Sequence, residues 1–114
     1  MALMNLLEAI NHTLDQQMTL NPDVVLFGED VGQAGGVFRT TAGLQKKHGE
    51  HRVIDTPIAE AAIIGSAIGM AAGGLRPVAE IQFSGFLFPG YNELVTHAAR
   101  MQNRSRGRWF QPWS

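Results

Sequence analysis

Cysteine is absent from the 114 residues, which excludes disulfide scaffolds, zinc ribbons and thiol catalysis. Charge is scarce as well. Asp, Glu, Lys and Arg make up 17% of the chain, against about 25% in an average soluble domain. Neither sign dominates: nine basic residues face ten acidic ones, for a net charge of −1. The basic excess of a polyanion-binding protein is therefore missing. Long apolar runs are missing too. The longest uncharged stretch, residues 61–75, is Gly-rich and falls short of the about 20 apolar residues that a membrane span needs. The N-terminus has no basic stretch, and Glu8 interrupts what would be a signal core. This reads as a cytoplasmic chain with no targeting segment. His12, His48, His51 and His97 show no metal-ligand spacing, so no metal site is expected. Internal repeats and low-complexity segments are also absent.

What is present alternates in a regular way. Leu3, Leu6, Leu7, Ile10, Leu14 and Met18 recur at helical spacing, with Asn5, Asn11, Asp15 and Gln16 opposite, and predict an amphipathic helix. Asn21-Pro22-Asp23 ends it. Residues 24–27 are wholly apolar, as in a strand covered on both faces. A Gly-rich loop at 28–43, a short helix at 44–48 and a brief strand at 52–54 follow. Asp55-Thr56-Pro57 then reads as a helix cap with Pro in the first turn, opening a helix that runs to Gly73-Gly74. A third strand is expected at 77–83, a loop at 84–90 and a last helix from Tyr91 to about Met101. Such alternation predicts an α/β fold, a parallel sheet with helices on both faces.

The last residues differ in charge. Residues 1–99 carry five basic and ten acidic side chains, whereas 100–114 carry Arg100, Arg104, Arg106 and Arg108 and no acid. Two Trp close the chain within six residues. An Arg/Trp strip can bind single-stranded nucleic acid, but the acidic body argues against it, and no nucleic-acid partner is expected.

Ligands of open parallel sheets bind at the carboxyl ends of the strands. Those ends place Glu29, Glu60 and Phe86 at one edge. Glu60 is the lone charge of its helix and lies one residue beyond the capping-box position counted from Thr56. It is either a first-turn Glu that favours the helix dipole or a carboxyl with a shifted pKa and a chemical role. Phe83, Phe86, Phe88 and Tyr91 are either core or a stacking surface for a flat heterocycle. Gly65, Gly69 and Gly73 share one helix face, each at a cost of about 1 kcal/mol relative to Ala. That face packs closely on its own sheet or on another subunit. Gly32 to Gly36 has neither the dinucleotide fingerprint nor a P-loop.

Four motifs in order carry a resemblance: Gly28-Glu29-Asp30-Val31-Gly32, Gly35-Gly36-Val37-Phe38, Arg52 through Glu60 with its Asp55-Thr56-Pro57, and Arg76 through Phe83. Over residues 3–108 the chain resembles the β subunit of the thiamine diphosphate-dependent 2-oxo acid dehydrogenases, of the pyruvate or branched-chain type. The resemblance implies a transketolase-like pyrimidine-binding domain. It implies an assembly of two α and two β chains, with the cofactor held between an α and a β chain. The α subunit would hold the diphosphate through magnesium, and this chain the aminopyrimidine. Glu60 would be the catalytic acid toward the ring nitrogen, Phe86 the stacking aromatic, and Glu29 a further cofactor-binding residue. The implied reaction is oxidative decarboxylation of a small 2-oxo acid, the acyl group passing to a lipoyl-bearing acyltransferase component. Ser84-Gly85-Phe86 leans toward pyruvate; the branched-chain enzyme is the alternative. Family chains continue past this point into further strands, a second domain and a later His, whereas Trp109 to Ser114 diverge. The expectation is a truncated domain at 1–108 with a divergent tail at 109–114, inactive alone or serving as a non-catalytic interaction module.

Overall fold

The computed structural model describes residues 3–109. Its elements are α1 (Leu6–Leu20), β1 (Val24–Gly28), α2 (Leu44–His48), β2 (Val53–Asp55), α3 (Glu60–Ala72), β3 (Arg76–Glu80), a 3-10 turn (Ser84–Leu87), α4 (Phe88–Glu93), a π-helical stretch (Leu94–Ala98) and α5 (Met101–Arg104). The three strands form one parallel sheet in the order β2-β1-β3.

The central position of β1 explains its sequence. All five of its residues are buried, because alternate side chains enter two different cores. Val24 and Leu26 join Met18 of α1, Val31, Leu44 of α2 and Val53. Val25 and Phe27 join Ile63 of α3, with Ile54, Ala67, Met70, Ala79 and Ile81 packed around them. Helices thus cover both faces of the sheet, as the apolar run at 24–27 predicts.

The N-terminal helix is held at its ends more than along its stripe. Asn5 and Glu8 form a reciprocal capping box, each side chain accepting from the other's backbone N–H at 2.9 and 3.0 Å. Of the predicted apolar stripe, however, only Met18 is buried and Leu14 partly so; Leu3, Leu6, Leu7 and Ile10 are exposed. The sheet underlies only the C-terminal half of the helix. Asn11, on the supposed solvent side, donates its amide to the carbonyls of Thr40 and Ala42 at 2.8 and 3.1 Å and ties the long loop down.

Asp15 links α1 to α2, accepting from Lys47 Nζ and pairing with His48 Nε2, both at 2.7 Å. Hydrogen bonds from Lys47 and then His48 lower its pKa below the ordinary 3.8. The folded carboxylate binds its proton more weakly than the unfolded one. The pair's stability is thus present above 3.8 and lost as pH falls through the lowered value. Asp15→Asn should lower the urea midpoint at neutral pH and close the gap to the parent as pH drops below that window. Parallel midpoint curves for the two proteins at all pH values would contradict this.

Several boundaries differ from the sequence reading. The helix expected to start at Asp55-Thr56-Pro57 begins at Glu60 instead, with Ala59 at its N-cap and no side-chain cap. Asp55 is engaged elsewhere, accepting from the N–H groups of Gly32 at 2.7 Å and Gln33 at 3.1 Å. The third strand stops at Glu80, not at Phe83. Residues 84–90 are a 3-10 turn and the start of α4, not a loop, and the helix expected from Tyr91 is broken into α4, the π-helical stretch and α5. Of the proposed tail, Trp109 is exposed and its backbone N–H donates to Ser105 Oγ at 3.0 Å; residues 110–114 lie outside the described residues. No described helix is long and apolar enough to cross a membrane.

Candidate functional site at the carboxyl edge of the sheet

Register aligns the strand ends. Gly28 pairs with Asp55 on one side and Glu80 on the other. There is no room for a side chain at this point, since a Cβ on Gly28 would lie 2.9 Å from the Glu80 carbonyl oxygen. The three segments that leave this edge bring Glu29, Glu60 and Phe86 with them.

Glu29 follows β1 directly and is only 6% exposed. Burial pushes its carboxyl above the ordinary 4.5; the charge of Glu60, the hydrogen bond between the two, and the charges of Asp30 and Glu80 push it the same way. The proton on Glu29 is therefore held more tightly than on a free glutamate. Glu60 is the first residue of α3, where the helix dipole favours a negative charge. Glu80, partly buried at the end of β3, is likewise raised by burial. Nothing in the spacing of Glu80 marks it; its position as the last paired residue of the edge strand β3 does.

The sign for Glu29 is opposite to that for Asp15. A carboxyl with a raised folded pKa stabilises the fold while protonated, and that contribution is lost as pH rises from 4.5 through the raised value. Glu29→Gln should remove this decline and gain on the parent in urea midpoint as pH rises. A variant that follows the parent curve throughout would contradict the buried proton.

Backbone contacts hold the third segment against the first two. Gln82 Nε2 donates to the Glu29 carbonyl at 3.3 Å. A Cβ on Gly90 of α4 would lie 3.0 Å from the Glu60 carbonyl oxygen and 2.8 Å from Ile64 Cγ1, so α4 rests on the first turn of α3. Between these two anchors, Phe86 lies edge to face with Phe83, ring centroids 5.3 Å apart, and Phe83 with Phe38 at 5.5 Å. The core reading of this aromatic cluster fails. Phe83 and Phe86 are each 45% exposed, and Phe88 and Tyr91 are more so.

The glycine face of α3 is also settled in part. A Cβ on Gly65 or Gly69 would meet nothing within 4 Å, so close packing on the chain's own sheet does not account for them. Gly69 instead lines an open cavity of about 610 Å³ beside Ala72, Met101 and Arg104. Among the described residues no group of three or more His, Asp or Glu could hold a metal ion.

A parallel sheet that gathers a buried glutamate, a second carboxyl and a half-exposed aromatic at its carboxyl edge defines an α/β domain with a candidate ligand site there. Residues 3–113 match the family described as transketolase, pyrimidine binding domain, and the chain belongs to that family. It is 67% identical over 112 residues to the pyruvate dehydrogenase E1 component subunit beta of Acholeplasma laidlawii, covering 98% of this chain and 34% of the relative. The protein of the same name from Mycoplasma pneumoniae is 56% identical over 108 residues, 95% of this chain and 33% of its own. A 2-oxoisovalerate dehydrogenase subunit beta from Pseudomonas aeruginosa is 50% identical over 109 residues, 96% and 31%. The chain spans about a third of the length of the curated relatives it matches.

Proposed function

We propose that this chain is the pyrimidine-binding part of the β subunit of a 2-oxo acid dehydrogenase, holding the aminopyrimidine of thiamine diphosphate at Glu60 and Phe86. On this reading residues 1–108 are a partial pyrimidine-binding domain and 109–114 a divergent tail. The observation that carries the reading is the burial of Glu29 beside Glu60 at the carboxyl edge, where burial and then the Glu60 charge raise the Glu29 carboxyl. A ring nitrogen needs a carboxyl that can carry a proton, and burial of Glu29 favours a proton there. When bound, thiamine diphosphate supplies the nucleophilic carbon and the electron sink for decarboxylating a 2-oxo acid.

The side chains then divide the work. Glu60, the less buried member of the pair, presents the proton to the ring nitrogen and takes it back. Glu29, the buried member, keeps that proton at hand by making a second negative charge at this spot unfavourable. Phe86 offers an aromatic face that fixes the plane of the ring. An α subunit would supply magnesium and the diphosphate site, and a second β chain or an α chain would cover the open Gly65/Gly69 face. The lipoyl-bearing component would accept the acyl group, in the cytoplasm. Pyruvate is the favoured substrate, since the pyruvate dehydrogenase relatives above reach 67% and 56% identity against 50% for the branched-chain one.

Phe86→Ala tests the stacking half of this reading. Aromatic stacking contributes about 0.5–1.5 kcal/mol beyond burial, so thiamine diphosphate affinity in the assembled enzyme should fall roughly two- to tenfold or more. The ring is half exposed, so the fold should be retained. Equal affinity would refute stacking.

A further inference from the structure

We propose that Phe38 is a positioning residue for the cofactor ring, acting through Phe83 to hold Phe86 in one orientation. The proposal rests on the reading of Phe86 given above. Three rings form an edge-to-face ladder: Phe38 to Phe83 at 5.5 Å and 74°, then Phe83 to Phe86 at 5.3 Å and 74°. Phe38 is 54% exposed and the other two 45%. Burial therefore does not fix these rings. Their contacts with one another do, and such geometry is the favoured one for aromatic quadrupoles.

The foot of the ladder is held with unusual firmness for an exposed residue. Arg39, directly after Phe38, has φ +62°, a left-handed conformation that side chains rarely adopt. That strain persists only where the surroundings enforce it, and the surroundings do so at several points. Arg39 N–H donates to the Gly36 carbonyl at 3.0 Å and Thr41 N–H to the Gly35 carbonyl at 3.1 Å. The Arg39 guanidinium donates to the Ala34 carbonyl. Asn11 of α1 donates to the Thr40 carbonyl at 2.8 Å, and the buried Thr41 hydroxyl to the Val31 carbonyl at 2.7 Å. A strained, pinned loop thus presents a half-exposed ring to the base of another. The loop that carries Phe38 is pinned by α1 and by its own turns, and the ladder carries that placement to residue 86.

4-Fluorophenylalanine at position 86 of the full chain reads the ring directly, without cofactor. Phe38→Leu keeps apolar bulk but removes the ring, and should move the fluorine resonance toward that of free 4-fluorophenylalanine; Phe83→Leu should move it further. Phe38→Tyr should leave it in place. In the assembled enzyme Phe38→Leu should weaken thiamine diphosphate binding about two- to tenfold, the scale of one edge-to-face contact, with Phe38→Tyr restoring it. A fluorine resonance unchanged in Phe38→Leu overturns the ladder. So does unchanged cofactor affinity in Phe38→Leu when Phe86→Ala lowers it. A resonance that moves while neither Phe38→Leu nor Phe86→Ala alters affinity overturns the cofactor reading of Phe86 and leaves the coupling of the rings standing.

Discussion

Glu60→Gln is expected to slow decarboxylation by the assembled enzyme roughly 10²–10⁴-fold, the usual contribution of one positioned acid–base group. Gln matches Glu in size and can still hydrogen-bond to Glu29, but its amide neither yields nor regains a proton. The competing account makes Glu60 only a favourable charge at the start of α3. In that case the substitution would cost about 0.3–1 kcal/mol of stability and leave turnover alone. The two accounts therefore separate in a single comparison of rate with urea midpoint. A large rate loss at near-parental stability supports proton transfer, and parental turnover would refute it.

Phe27→Ala carries the largest effect expected on the fold itself. Phe27 is 2% exposed in the central strand and packs with Val25 and Ile63 beneath α3. Replacing a buried Phe by Ala costs about 3–5 kcal/mol through lost transfer energy and the cavity left behind. Total stability of a domain is about 5–15 kcal/mol, so this one change removes a large share of it. Because Phe27 stands one residue before Gly28, loosening it should also disturb the edge where Glu29 and Glu60 meet. Denaturant melts of parent and variant read the loss, and a midpoint within error of the parent would contradict the burial of Phe27 between strand and helix.

Local signals carried much of the fold. Val24 to Phe27 is apolar on both sides because β1 is covered on both sides, and Gly49 closes α2 where the sequence places the break. Gly73 ends α3 in the same way. The start of α3 was not legible, because Asp55 looks like a cap until its two partners, Gly32 and Gln33, are known to lie beside it. Those partners are more than twenty positions away in sequence. Asn11 shows the same difficulty: a polar residue on a helix reads as solvated, and only the fold brings Thr40 and Ala42 to it.

The candidate site was half legible for similar reasons. Glu29 and Glu60 could be named from strand ends and from Glu60's misfit as a capping residue. That burial raises the Glu29 carboxyl could not, since it depends on the depth to which β1 carries Glu29. Phe86 could be named, but Phe38 could not; nothing in a Gly-rich loop announces that its one aromatic ring meets Phe83. Gly90 carries no signal either, because its role lies in the space beside Glu60. Conversely, spacing marked Gly65, Gly69 and Gly73 as a close-packed face, and nothing within this chain lies against the first two.

The central claim is that the carboxyl edge holds the pyrimidine end of thiamine diphosphate. Its most direct test is a calorimetric titration of the cofactor, with magnesium, into this chain mixed with a matching α subunit. The account predicts saturable binding that requires both chains and weakens when Glu60→Gln replaces the parent. Absence of binding by a folded chain in the presence of its α partner, or binding indifferent to Glu60→Gln, would contradict it.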